Sequence, residues 1–264
     1  MRFAIISDIH VGDEAEYKGV VRKLSRHSVP FLTDFVEKMK GEPLDLVVNL
    51  GDAINDVEHD VDVANLKMVL NKLDDLTVPV INLVGNHEQW AMNETELEEI
   101  LGIESLYYSK DINGHHIVAL HSEAFLGEDS KIGDEQKEWL VDDLKHTDLP
   151  AIVFIHHPLA DQDLTGNFWF EGKPSRGLLS NRQEVREILE RSGKVIAVFN
   201  GHTHWNKMNV HNDIPYFNIN SIVENFRNDD TPSGCYALVT IDSKSVSVDI
   251  RGTDAQQYQF AFKQ

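Results

Sequence analysis

The sequence predicts a single domain of the α/β class, a sandwich of mixed β-sheets with helices packed on them. Three observations support this fold. Short, β-branched apolar runs alternate with helical patterns over most of the 264 residues. The last third reads as strands separated by turns, which is typical of antiparallel pairing. No linker, repeat or low-complexity segment divides the chain, so residues 1–264 are expected to form one domain.

Six apolar runs have the composition of strands that are buried on both faces. They are FAIIS (3–7), DLVVNL (45–50), VPVINLV (78–84), IVAL (117–120), AIVFI (151–155) and VIAVFN (195–200). The strands predicted in the last third are KMNVH, IPYFNI, CYALVTI and SVSVDI.

Helical stripes of apolar residues lie between several of these strands. The first helix begins at Pro30 and ends at Gly41, and the second has its stripe on residues 66–73. A third covers residues 134–145, and a fourth runs to Arg191 with Asn181 as its N-cap. The connection over 158–180 is long enough to be a lid, a binding loop or disordered.

The composition limits the partners that this chain can have. Acidic residues outnumber basic residues 44 to 24, and a net charge of −20 repels the backbone of a nucleic acid duplex. No window approaches the roughly 20 apolar residues of a membrane helix. The lone Cys235, together with a strand where a signal peptide would stand, favours the cytoplasm. The sequence leaves open whether the chain forms a homo-oligomer.

Polar side chains follow five of the predicted buried strands, at the point where each strand ends. They are Asp8 and His10, Asp52, Asn86 and His87, His156, and His202 and His204. Because the carboxyl ends of parallel strands meet at one edge of a sheet, we expect these groups to converge. Strand alternation also turns both histidines of the His-x-His pair to the same side.

Crowded imidazoles and carboxylates in a partly dry cleft need a positive partner. A metal ion provides one, and seven mixed nitrogen and oxygen ligands suit two ions that share a bridging carboxylate. The sequence therefore predicts a dinuclear metal site. Mn, Fe, Zn and Co all accept such ligands, as two divalent ions or a mixed-valence pair.

The blocks Asp-x-His, Gly-Asp, Gly-Asn-His-Glu, His-His-Pro and Gly-His-Thr-His, each after a strand, resemble those of the calcineurin-like metallophosphoesterases. The resemblance spans residues 3 to about 220. It implies the calcineurin-like fold, a four-layer α/β/β/α sandwich of two mixed sheets. It also implies a hydrolase of phosphate esters in which a hydroxide bridging the two metals attacks phosphorus in line.

The same resemblance implies roles for individual residues. The ligands of one metal would be Asp8, His10 and His204, those of the other Asn86, His156 and His202, and Asp52 would bridge them. His87 would face the phosphate and assist the leaving group, so Asp52 and His87 are the expected catalytic residues. His157 is not expected to be a ligand.

Two further residues are candidates for contact with the substrate. Asn55 stands where purple acid phosphatases have a tyrosine, so a coloured ferric centre is not expected. The GDxxN pattern instead is similar to bacterial phosphodiesterases of the cyclic-nucleotide and glycerophosphodiester type. Asn55 either touches substrate phosphate or forms a turn. Trp205, with the aromatic residues 168–170, either stacks on a planar leaving group or anchors a loop.

The leading hypothesis is therefore a dinuclear metal-dependent phosphodiesterase that acts on a small phosphorylated molecule. A phosphomonoesterase is one alternative. A manganese-dependent pyrophosphatase of the ADP-ribose and CDP-alcohol type is another, since GHTHW and NINSIVENF resemble that group as well. A non-catalytic scaffold is disfavoured because the set of ligands is complete. Several basic residues near the expected site could bind a distal phosphate, and Glu224 has no assigned role.

Overall fold

The structure, a computed structural model, describes residues 1–126 and 129–263. Two mixed β-sheets pack face to face, and helices cover their outer sides, which confirms the expected four-layer α/β/β/α sandwich. The strands are β1 (Arg2–Ile6), β2 (Leu46–Asn49), β3 (Val80–Asn82), β4 (Tyr108–Ile112), β5 (His115–Leu120), β6 (Ala151–Ile155), β7 (Val195–Asn200), β8 (Lys207–His211), β9 (Ile214–Asn218), β10 (Tyr236–Ile241), β11 (Ser245–Arg251) and β12 (Gln256–Ala261).

Each sheet combines parallel strands with antiparallel ones. The first has the order β12-β11-β10-β1-β2-β3, and β1, β2 and β3 are parallel to one another. The second has the order β4-β5-β6-β7-β9-β8, in which β5, β6, β7 and β9 are parallel. The strands that carry the polar residues at their ends are thus parallel within each sheet, as the sequence predicts.

The predicted helices are all present, and shorter ones lie between them. The helices are α1 (Ser28–Lys40), α2 (His59–Leu73), α3 (Asn86–Ala91), α4 (Glu94–Leu101), α5 (Asp134–His146), α6 (Pro174–Gly177) and α7 (Arg182–Ser192). Asn181 does precede α7, but its side chain makes no capping bond. Asn181 is the N-cap residue, as predicted, but its side chain bonds to the backbone of Ile132 through both its oxygen and its nitrogen. None of the helices described here combines the length and the apolarity needed to cross a bilayer.

Three buried cores separate the four layers. Phe3 and Ile5 of β1 point between the sheets, whereas Ala4 and Ile6 point toward α1 and α2, so this strand is buried on both faces. Between the sheets, the ring of Phe3 meets those of Phe154 and Phe199 edge-on. The third core lies under α5 and α7. These packed layers hold the ends of both sheets in a fixed relation.

Beyond the predicted elements, the structure contains α3, α4, α6, β4 and β12. Their sequences explain why the apolar pattern did not reveal them. The strands β4 and β12 lie at sheet edges and are largely polar and exposed, and α3 and α6 are shorter than two turns. Helix α4 buries only Leu97 and begins instead with a capping box formed by Asn93 and Glu96.

A histidine ties the β4–β5 hairpin to helix α5. The His116 ring bonds to Asp111 at 2.7 Å and to Asp143 at 2.8 Å. Burial lowers the pKa of His116, but the hydrogen bonds to Asp143 and Asp111 outweigh that effect and raise the pKa above its usual value of 6.5. Since the folded state binds this proton more tightly, the stabilisation is complete below the unfolded pKa and is lost as pH rises through the folded pKa.

We expect His116→Gln to reduce the free energy of unfolding more at pH 6 than at pH 9. The extra loss should be about 0.5 kcal/mol, because solvent screens the exposed Asp111. Urea unfolding at the two pH values measures it. The matched control is His115→Gln on the same strand, whose ring contacts the Asn113 carbonyl oxygen. A cost that is equal at both pH values would contradict the charged-histidine interpretation.

Candidate metal centre

Three ligand atoms meet where β1 and β7 end. The Nε2 atoms of His10 and His204 are 3.1 Å apart, and the Oδ1 atom of Asp8 lies 3.3 Å from the His204 nitrogen and 3.9 Å from that of His10. All three side chains are buried. Mutual distances of this size are those of neighbouring atoms that could bind one ion.

A second group of ligand atoms adjoins the first. Asp52 Oδ2 lies 3.3 Å from His156 Nε2, and the ligand atoms of Asp52 also lie close to those of Asp8 and His10, which belong to the first group. Asn86 and His202 line the same cavity as Asp52. The Asp52 carboxylate therefore lies between the two groups, which is where a bridging ligand would have to be.

The pattern of hydrogen bonds tests whether these residues fit metal ions. Asp8 Oδ1, Asn86 Oδ1 and His156 Nε2 are buried and have no hydrogen-bond partner. The other atoms of the same side chains are occupied. Asp8 Oδ2 accepts hydrogen bonds from the Ser7 hydroxyl and the His202 amide, and His156 Nδ1 donates to the Leu50 carbonyl. Because buried lone pairs without partners are costly, the residues fit cations at this position.

The backbone is strained at five of the candidate ligands. These five residues have φ between 52° and 67°, the left-handed region that residues other than glycine rarely adopt. They are Asp8, His10, Asp52, His202 and His204. Such strain persists only where the surrounding structure enforces it, and it concentrates at functional sites. Here it turns the side chains that follow the strands toward one point.

Two glycines let the strand ends approach each other. A Cβ atom on Gly85 would collide with Asp52, and one on Gly201 would collide with Ser7 and Asp8. These are the glycines of the Gly-Asn-His-Glu and Gly-His-Thr-His blocks. Their role is thus the close approach of one loop to a ligand on another.

The field inside the centre favours positive charge. Burial lowers the pKa of His156 and of His204, but neighbouring carboxylates, Asp52 for the first and Asp8 with Glu224 for the second, raise each pKa to about 9. Burial raises the pKa of Asp52, yet the imidazoles around it hold that pKa well below its usual value. The carboxylates that hold protons on these rings would equally attract metal ions, whose binding displaces protons.

Glu88 organises the loops around Asp52. Its carboxylate accepts hydrogen bonds from the backbone amides of Gly85, Asp52 and Ala53 at 2.7, 3.0 and 2.6 Å. Burial, with a further effect from the Asp52 charge, raises the pKa of Glu88 to about 7. The glutamate of the Gly-Asn-His-Glu block therefore supports the site through the backbone.

His87 points into the cavity beside Asp52 and is held by two side chains. Its Nδ1 atom pairs with Asp56, and its Nε2 atom lies 3.1 Å from the Lys23 ammonium nitrogen. The distance from Nε2 to Asp52 Oδ2 is 3.9 Å. His157, in contrast, has both ring nitrogens bonded, to the hydroxyls of Ser122 and Ser130.

A cavity of about 260 Å³ opens over these groups. Its apolar walls are Trp90, Phe125, Trp169 and Phe170. The last two come from the 158–180 connection, which is thereby a cavity wall. Asn55 and Trp205 are not among the lining residues.

Asn55 bonds through its side-chain nitrogen to the Ser25 hydroxyl and the Asp13 carbonyl oxygen, so it ties together segments that are distant in the chain. Trp205 lies beside Lys207, whose ammonium group is 6.0 Å from the ring centroid. The substrate contact assigned to each of them stays a prediction.

The sequence did not identify three residues around the centre. Glu224 accepts hydrogen bonds from His204 Nδ1 at 2.6 Å and from the Trp169 indole at 3.0 Å, while it also pairs with Arg22. Asp56 and Lys23 contact His87. All three are distant in the chain from the residues that they contact. Glu224 lies in NINSIVENF, but the resemblance of that segment assigned it no role, and no motif marks Asp56 or Lys23.

Comparisons with known proteins agree with the motifs. A family model described as calcineurin-like phosphoesterase matches residues 1–206. A protein of Fibrobacter succinogenes named as a probable cyclic nucleotide phosphodiesterase is 27% identical over 207 residues, which cover 77% of this chain and 73% of that protein. A Synechococcus protein of the same name is 25% identical over 216 residues, with the same coverage.

Solved structures share the fold. A dimetal phosphatase from Danio rerio superposes with a TM-score of 0.80 at 18% identity, covering 99% of both chains. A purple acid phosphatase from yellow lupin superposes with a TM-score of 0.72 at 15% identity, covering 99% of this chain and 53% of the other. Both similarities extend over the layers and strand ends described above.

We predict that Glu224→Gln lowers the affinity for Mn²⁺ about 10- to 100-fold, because the carboxylate orients His204 and makes its ring a better ligand. Calorimetric titration of the metal-free protein with Mn²⁺ measures this affinity. Glu171→Gln, at an exposed position on the cavity-wall segment, is the control. Equal Mn²⁺ affinity in the two variants would show that Glu224 does not support the ligand.

Proposed function

The chain belongs to the calcineurin-like phosphoesterase family, a family of metal-dependent hydrolases, and on this premise we propose that it hydrolyses a small-molecule phosphodiester. The observation that carries the proposal is the convergence of buried ligand atoms without partners at the strand ends. Two relatives named as probable cyclic nucleotide phosphodiesterases support a diester over a monoester or a pyrophosphate.

We further propose the roles that follow from the geometry. The ligands of one metal are Asp8, His10 and His204, those of the other are Asn86, His156 and His202, and Asp52 belongs to both. Metal ions bound there would bring the pKa of water near neutrality and withdraw charge from phosphate oxygens. The native ions are Mn, Fe, Zn or Co, because neither the nitrogen nor the oxygen ligands select among these.

His87 acts on the leaving group in this proposal. Asp56 holds the Nδ1 side of the ring, so Nε2 faces the cavity. When the bond between phosphorus and the leaving oxygen breaks, the electron pair of that bond passes to the oxygen. A His87 ring that carries protons on both nitrogens would then supply its Nε2 proton, or a hydrogen bond from it, to that oxygen. The apolar walls exclude water from the surroundings of the bond.

The organisation of the chain is also a proposal. Strands β10 to β12 return to the sheet of β1, which supports one domain over residues 1–264. The single cysteine, Cys235, is buried in the core between the sheets and supports a location in the reducing cytoplasm.

A hydrolysis screen with Mn²⁺ supplied tests the function. We expect turnover of bis-p-nitrophenyl phosphate and a cyclic mononucleotide in preference to p-nitrophenyl phosphate and ADP-ribose.

Asp52→Ala should bind less metal and lose more than about 100-fold in activity, a loss that even outer partners of ligands can cause. Preference for the monoester or for ADP-ribose would replace the diester proposal, and full activity of Asp52→Ala or after chelation would end the two-metal one.

His87→Ala should keep its bound metal and lose about 100-fold or more in kcat with poor leaving groups. The loss should be smaller for bis-p-nitrophenyl phosphate, because p-nitrophenolate leaves without a proton. Steady-state kinetics with this ester and with a cyclic mononucleotide make the comparison. A uniform loss for both substrates would exclude a role for His87 at the leaving oxygen.

A further inference from the structure

Lys23 is held at the edge of the metal centre by the backbone around it. It forms an isolated antiparallel bridge with Glu224, and the amide of Leu24 donates to the Val223 carbonyl at 3.0 Å. The segment that pairs with Lys23 thus contains the partner of His204. The position of the Lys23 backbone is therefore fixed relative to the metal centre.

The Lys23 ammonium group faces the cavity with hydrogen-bonding capacity to spare. Its Nζ atom lies 3.1 Å from His87 Nε2 and 5.6 Å from the centroid of the Trp169 ring. Within the described part of the chain it forms no ion pair, whereas its neighbour Arg22 pairs with Glu224. An ammonium group has three N–H bonds, so at least two remain for a ligand even when one is donated to His87 Nε2.

The charge of the whole molecule makes this position unusual. A chain with a net charge of −20 repels a phosphate ester, so a local cation must compensate. Among the cavity-lining residues described, Lys23 and Arg176 are the lysine and arginine residues, and the Arg176 side chain is exposed. Burial lowers the pKa of Lys23, while Asp52 and Asp56 oppose that effect, and a bound anion would oppose it as well.

We propose that the Lys23 ammonium binds the scissile phosphate group on the side of its leaving oxygen, next to His87. The inference rests on the proposed function, since its ligand is a phosphate ester. As the bond from phosphorus to the leaving oxygen breaks and the electron pair moves to that oxygen, the Lys23 N–H stabilises the charge that develops. Lys23 is therefore a catalytic residue located outside the motif blocks.

The test compares Lys23→Met with Lys23→Arg, which keeps the charge, and with Lys173→Met, which removes an exposed lysine near the cavity. Each protein is loaded with Mn²⁺ and titrated calorimetrically with inorganic phosphate, and its Mn²⁺ content is measured. We expect phosphate to bind about 10- to 100-fold more weakly to Lys23→Met, the effect of losing one charged hydrogen bond. Lys23→Arg should recover part of the loss, and Lys173→Met should equal the wild type.

Unchanged phosphate affinity in Lys23→Met with full Mn²⁺ content would overturn the inference. A loss of Mn²⁺ in that variant would also overturn it, because Lys23 would then support the metal ligands and not the phosphate. Lys23→Gln replaces Lys23→Met if the latter does not fold. If the wild type binds phosphate but hydrolyses no ester, the proposed function fails. The phosphate titration still tests whether Lys23 contributes to phosphate binding.

Discussion

Buried lone pairs without a protein partner are the constraint on which this structure depends. Asp8 Oδ1, Asn86 Oδ1 and His156 Nε2 come from different strand ends, and each is shielded from water. A fold that gathers such atoms is destabilised unless a cation binds between them. Residues with left-handed backbone conformation, and glycines at which a Cβ atom would collide with a neighbour, bring these atoms together. Stability has been exchanged here for a preformed site.

Around the ligands, a second set of side chains determines which atom of each ring is free. The backbone carbonyl oxygen of Leu50 accepts the Nδ1 proton of His156, and the Glu224 carboxylate accepts that of His204, so that Nε2 of each ring faces the centre. Glu88 positions the loop that carries Asp52 by accepting hydrogen bonds from the backbone amides of Gly85 and Asp52. Because Glu224 also accepts from Trp169, one carboxylate connects a metal ligand to the wall of the substrate cavity. The centre and the cavity wall therefore share one hydrogen-bond acceptor.

The sequence predicted the parts of the site that depend on local rules. A buried strand followed by a histidine or carboxylate is visible in a few residues, and parallel strands bring their ends together, so the motif positions could be named. Glu224, Asp56 and Lys23 act across 20, 31 and 64 residues of chain, where no spacing rule applies. The sequence did not predict the polar edge strands β4 and β12 for a related reason, because only pairing with a neighbouring strand makes them strands.

The division of the proposed ligands between the two sheets has a consequence for how the protein is made. Asp8, His10 and Asp52 follow strands of the first sheet, and His156, His202 and His204 follow strands of the second. A ribosome-bound nascent chain has no complete centre until residue 204 has emerged and both sheets have closed on each other. A chain released before that point consequently lacks part of the proposed metal centre.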